Sequence, residues 1–100
     1  MTVPMTAPFD AAKYITEPEH VVELLNDAFD SGHAGYIANA LGIVARSEGM
    51  TGIAAKTGVN RQALYTALSE NGNPTLETLL KVMAALGVRL KCEIDVAEAT

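Results

Sequence analysis

The sequence predicts a mainly α fold, a bundle of about five helices followed by a C-terminal β-strand that pairs between chains. Three observations carry this prediction. Apolar residues recur at helical spacing through the middle of the chain, in runs that stop at Gly32, Gly49, Gly58 and Gly87. The stretch "GIAAKTGVNRQALYTALS" (52–69) reads as two short helices hinged at Gly58. After Gly87 the period changes to two, as Val88, Leu90, Cys92, Ile94 and Val96 alternate with Arg89, Lys91, Glu93 and Asp95.

The 100 residues, 49% of them hydrophobic, suffice for one core without metal or disulfide staples, so a single domain is expected. It divides into an arm (1–8), an acidic helical segment (9–32), a helical core (33–87) and the terminal strand (88–96). Cys92 is the sole cysteine, and no His or Cys stands at zinc-ligand spacing, so a reducing cytoplasm and no metal or other cofactor are expected. The opening "MTVPMTAPFD" lacks the basic and apolar regions of a signal peptide, and no run of about 18 apolar residues could span a membrane. The reading is therefore a soluble, unprocessed protein.

Taken in order, residues 1–8 hold two prolines and no pattern. "FDAAKYI" offers one or two amphipathic turns with Phe9, Ala12 and Ile15 on one side. In "TEPEHVVELLNDAFDSG", Thr16 is the expected N-cap with Glu19 reaching back, and Pro18 suits an early position whose N–H has no helical partner. Val21, Leu25, Ala28 and Phe29 then share a face up to Gly32. A further helix over 33–48 places Ile37, Leu41, Val44 and Ala45 together. Beyond the hinged pair, "ENGNPT" is a loop. Thr75 caps a last helix whose stripe is Leu76, Leu79, Leu80, Met83 and Leu86. The strand has no partner within the chain, so it pairs with a second copy through Val88, Leu90, Cys92 and Ile94 or joins another protein's sheet.

Within the hinged pair, Ile53 points inward, Ala54 is small where helices cross, and Gly58 supplies the left-handed backbone of a sharp turn. Val59 plugs the core, Asn60 caps the second helix, and Leu64 and Leu68 hold it down. These features together describe a helix-turn-helix. With the leucines inward, Arg61, Gln62, Tyr65 and Thr66 face outward on the N-terminal part of the second helix, where base edges in the major groove would be met. Arginine can pair with guanine and glutamine with adenine, a threonine methyl can touch thymine, and a tyrosine hydroxyl can reach phosphate. Thr51, Asn60 and Ser69 complete the candidate DNA-binding set. A solvated polar face is the plain alternative for each.

The net charge of −5 argues against nucleic acid until its distribution is considered. Residues 1–30 set Asp10, Glu17, Glu19, Glu23, Asp27 and Asp30 against Lys13 alone. Between 46 and 91, Arg46, Lys56, Arg61, Lys81, Arg89 and Lys91 outweigh Glu48, Glu70 and Glu77. A basic reading surface opposite an acidic, partner-facing side fits that asymmetry; so do ordinary solvated helix faces.

The stretches "DAAKYI", "TGVNRQALYTALS" and "GNPTLETLLKVMAALG" resemble those of addiction-module antidote proteins, antitoxins of the lambda-repressor-like helix-turn-helix superfamily, over about residues 9–94. The resemblance implies an antitoxin that binds a RelE/ParE-type toxin encoded beside it and represses the shared operon as a homodimer on operator DNA. Phe9, Tyr14 and Ile15 are the expected apolar toxin contacts within the acidic segment. The chain departs from the wider superfamily at Gly52, where a glutamine often braces the phosphate backbone; Thr51 and the amides of that helix start could substitute.

No pattern points to an enzyme. His20 and His33 lack partners at triad or ligand spacing and read as solvated or capping residues. Glu19 and Glu23 read as a solvated face, and Cys92 as a small hydrophobe on the strand's inward side. Two other readings fit the residues: a stand-alone helix-turn-helix regulator without a toxin, and a protein-only adaptor. A neighbouring gene for a small basic toxin separates the first from an antitoxin; salt-dependent promoter binding separates the second.

Overall fold

A computed structural model describes residues 17–95. Five helices follow one another: α1 (Pro18–Ser31), α2 (Ala34–Glu48), α3 (Met50–Thr57), α4 (Arg61–Ala67) and α5 (Leu76–Ala85). α1 packs along α2, and α3 lies against α2, α4 and α5. Leu41 and Val44 of α2, Leu64 and Leu68 at the two ends of α4's inner side, and Val82 of α5 are the largest fully enclosed side chains. Burying each contributes about 1.5–3 kcal/mol.

The ends of α1 show which local rules prevail. Glu17, not Thr16, is the N-cap residue, and it makes no side-chain cap. The reason is Pro18: its ring drives the preceding residue into extended backbone, and Glu17 sits at φ −114°, ψ 144°. Thr16 lies outside the described residues, as does the "FDAAKYI" segment. At the other end Gly32 is left-handed (φ 68°) and closes the helix as expected. The Tyr36 hydroxyl of α2 donates to the Asp27 carboxylate of α1, tying the two helices together. That bond, then burial, then the carboxylate's charge raise the Tyr36 pKa above its usual value.

Two glycines decide how α4 is seated. Gly58 adopts φ 72° between α3 and α4, a backbone that a side chain would strain. Gly42, in the middle of α2, lies under the end of α4; a Cβ there would stand 2.1 Å from the Leu68 carbonyl oxygen. Only a bare helix surface lets that backbone come so close.

α5 departs from the expected stripe. Leu79, Met83 and Leu86 pack against the core together with the fully buried Val82, but Leu76 and Leu80 are exposed, at 65% and 47%. The apolar arc of α5 is wider than the side that α2 and α3 cover, and the two leucines, one turn apart, lie on its uncovered edge. The helix closes on a Schellman pair, with the Gly87 N–H donating to the Ala84 carbonyl (3.1 Å) and the Val88 N–H to that of Met83 (3.0 Å).

Residues 88–95 form no strand, and the described residues contain none. The expected pairing between chains is not formed here for a physical reason: a strand is defined by its ladder, and one copy supplies no second edge. Val88 is half-buried against the core, while Leu90, Cys92 and Ile94 are exposed. Cys92 is thus a free, exposed thiol in the single chain, not an enclosed hydrophobe.

Candidate nucleic-acid interface

The outward side of α4 is built by its cap and its anchors. Asn60 Oδ1 accepts the Gln62 and Ala63 amides at 2.8 and 3.3 Å, starting the helix where the turn ends. Leu64 and Leu68, 0% and 2% exposed, fix its rotation. Arg61, Gln62, Tyr65 and Thr66 are consequently all exposed.

These four side chains are not equivalent. The Arg61 guanidinium lies 5.9 Å from the centroid of the Tyr65 ring, a loose cation–π contact that keeps both on one side of the helix. Arg61 Nη1 also donates a long hydrogen bond, 3.4 Å, to Thr51 Oγ1 at the start of α3. The beginnings of the two helices thereby share one edge. Thr66 Oγ1 donates back to the Gln62 carbonyl at 3.2 Å. Ser69, past the end of α4, is half-buried and donates to the Thr66 carbonyl at 2.9 Å, so its proton already serves the chain.

Thr57, which sequence reasoning passed over, holds the turn. Its buried hydroxyl donates to the Ile53 carbonyl at 2.9 Å and accepts the Val59 amide at 3.2 Å, closing the last turn of α3 onto the start of the loop. A hydroxyl directly before the hinge glycine was the available signal. Lys56, one residue earlier, is exposed and adds a positive charge near the α3 end. At its start α3 has no side-chain cap, in contrast to α4. Around Gly52 nothing lies within 4 Å of where a Cβ would be.

Residues 5–94 match the model of a family described as "Probable addiction module antidote protein". The chain belongs to the addiction-module antidote family. An uncharacterized protein of Haemophilus influenzae is 39% identical over 85 residues, which cover 85% of this chain and 88% of that relative. No solved structure gives a significant match. Membership in an antidote family implies a toxin as partner and suggests a regulatory, non-enzymatic role. No described helix of the antidote is long and apolar enough to cross a membrane.

The remaining expected residues of this antidote are distributed as follows. Phe9, Tyr14 and Ile15, the expected toxin contacts, lie outside the described residues. The acidic side chains that continue from them, Glu17, Glu19, Glu23, Asp27 and Asp30, are all exposed along α1. His33 is the N-cap residue of α2, and its amide donates to Ser31 Oγ at 3.1 Å.

Proposed function

We propose that this antidote neutralises a RelE/ParE-type toxin and, as a homodimer, represses its own operon by placing α4 in the major groove of operator DNA. The observation that carries the reading is the Asn60-capped α4, whose buried Leu64 and Leu68 leave Arg61, Gln62, Tyr65 and Thr66 exposed beside the start of α3. This is the division of labour of a lambda-repressor-like helix-turn-helix, in which the second helix reads bases and the first approaches the backbone. Asn60 occupies the first amides of α4, so base recognition falls to side chains. The uncapped amides and Thr51 at the start of α3 supply a phosphate contact in place of a glutamine at position 52.

The toxin reading rests on charge and family. RelE/ParE-type toxins are small and basic, and exposed acidic residues along α1 favour rapid encounter with such a partner. Phe9, Tyr14 and Ile15 supply apolar area to the same contact. Two recognition helices about one DNA turn apart, roughly 34 Å, require a dimer, for which the C-terminal segment 88–95 is the proposed element.

The test is fluorescence anisotropy with the duplex upstream of the protein's own gene, from 50 to 200 mM salt. Specific binding should weaken steeply with salt, and Arg61→Ala should lose about 1–3 kcal/mol on that duplex with little change on random DNA. Unchanged affinity for the alanine variants of Arg61, Gln62, Tyr65 and Thr66 alike would remove α4 from the account. For the toxin contact, a chain lacking residues 1–15 should protect cells less well against the co-expressed toxin; full protection would exclude Phe9, Tyr14 and Ile15.

A further inference from the structure

The C-terminal segment carries more than an apolar alternation. The segment borders a hollow of about 870 Å³ beside α1, where apolar Val22, Phe29, Val88 and Leu90 meet the polar side chains of α1 and of the segment itself, Arg89, Lys91 and Glu93 among them. Val22 is 51% exposed, Leu90 46% and Ile94 81%, so apolar surface on both walls is left in water. Among the described residues no backbone hydrogen bond joins 89–94 to the rest of the chain. The alternate positions of the segment read Arg89, Lys91, Glu93, Asp95: two positive charges followed by two negative ones.

That order is complementary to itself when reversed. Residues directly opposite in an antiparallel pair lie on the same face, and opposite charges there stabilise while like charges repel. With Cys92 of both copies at the two-fold axis, Arg89 faces the partner's Asp95, Lys91 faces the partner's Glu93, and Leu90 faces the partner's Ile94. Moving the axis to Lys91 sets the two lysines against each other, and moving it to Glu93 sets the two glutamates together. Axes between residues place charged side chains opposite apolar ones, and parallel pairing places every charge opposite itself. One register sets each of the four charges opposite an unlike one.

We propose that two copies of this chain pair their C-terminal segments antiparallel with Cys92 on the two-fold axis, which brings the partner's Ile94 beside Leu90 over the hollow under α1. The proposal rests on the dimer reading given above and specifies its register. It also gives exposed Val22 a cover and satisfies the free backbone edge. Both copies use the same patch, as a two-fold interface requires.

The experiment is sedimentation velocity on the full chain, without toxin, for the wild type and four variants. Lys91→Glu alone and Glu93→Lys alone each turn two attractive pairs into two repulsive ones and should weaken the dimer roughly tenfold. The double swap Lys91→Glu/Glu93→Lys should restore it. The fourth variant, Leu90→Asp/Ile94→Asp, changes only exposed side chains and should give monomers. A separate readout is the native thiol: opposed residues have Cα atoms about 4.5–5.5 Å apart, within disulfide range. Diamide, which takes up the two electrons and two protons released, should therefore link Cys92 to the partner's Cys92 rapidly. In the Arg89→Cys/Cys92→Ala variant the thiols lie about 20 Å apart and should link only slowly. A monomeric wild type, or a dimer that survives Leu90→Asp/Ile94→Asp, overturns the dimer reading and the register with it. A dimer abolished by Leu90→Asp/Ile94→Asp but indifferent to the single reversals, or not rescued by the double swap, or linked equally fast through position 89, overturns the register alone.

Discussion

Replacing Gly42 by alanine should loosen the seat of α4, although alanine is the better helix former. The added Cβ would stand 2.1 Å from the Leu68 carbonyl oxygen and 3.2 Å from its carbonyl carbon. Carbon and carbonyl oxygen settle near 3.3 Å at their closest favourable approach, so the end of α4 must retreat by about 1.2 Å. No rotamer change relieves a clash between a helix and a backbone carbonyl. Leu68, 2% exposed, would be drawn from its pocket as the backbone moves. Overpacking of this kind costs about 1–3 kcal/mol, with the upper end expected for a backbone clash, and helix propensity returns about 1 kcal/mol at most. The net loss is about 2 kcal/mol, which for a domain of this size lowers the melting temperature by roughly 10 °C. Gly52→Ala is the matched control. Nothing lies within 4 Å of that Cβ, so the same exchange should be neutral or stabilise by up to about 1 kcal/mol. Urea unfolding followed by circular dichroism, with the slope unchanged between variants, measures both. A Gly42→Ala protein as stable as the wild type would refute the reasoning that α4 is held by direct backbone approach to α2.

Three further outcomes are expected. Thr57→Val deprives the Val59 amide of its acceptor inside the turn and should cost about 1–3 kcal/mol in the same unfolding assay, while Thr57→Ser, which keeps the hydroxyl, should retain most of the stability. Asn60→Ala removes the cap of α4 and should cost about 1 kcal/mol, whereas Asn60→Asp should be tolerated. Leu64→Ala empties a fully enclosed site and should cost about 2–5 kcal/mol, enough to leave much of a marginal domain unfolded near its growth temperature.

What the sequence made legible was local. Gly58 and Asn60 announce the hinge and cap because each acts through its own backbone or one turn away, and Leu64 and Leu68 follow from helical period. Gly87 was legible as a stop for the same reason. The seat of α4 was not, because Gly42 matters only through a carbonyl 26 positions along the chain. Leu76 and Leu80 belong to the apolar stripe of α5 yet stay exposed, because periodicity reports which residues share a side, not how much of that side a neighbour covers. Pro18 suits an early helical position through its missing N–H, but its restraint on the residue before it moves the cap of α1 from Thr16 to Glu17. For the candidate interface, exposure of Arg61, Gln62, Tyr65 and Thr66 followed from the two anchoring leucines. The Thr51–Arg61 link and the Thr57 turn depend on how α3 and α4 meet, which no single-helix pattern records.

The central claim is that the edge shared by the starts of α3 and α4 receives operator DNA. An amide-detected NMR titration of the full chain with the duplex upstream of its own gene tests it most directly. The account predicts shifts concentrated at Thr51, Gly52, Arg61, Gln62, Tyr65 and Thr66, including the Gln62 side-chain amide, and absent with a scrambled duplex at the same salt. Shifts confined to α1, or identical with the scrambled duplex, would contradict it.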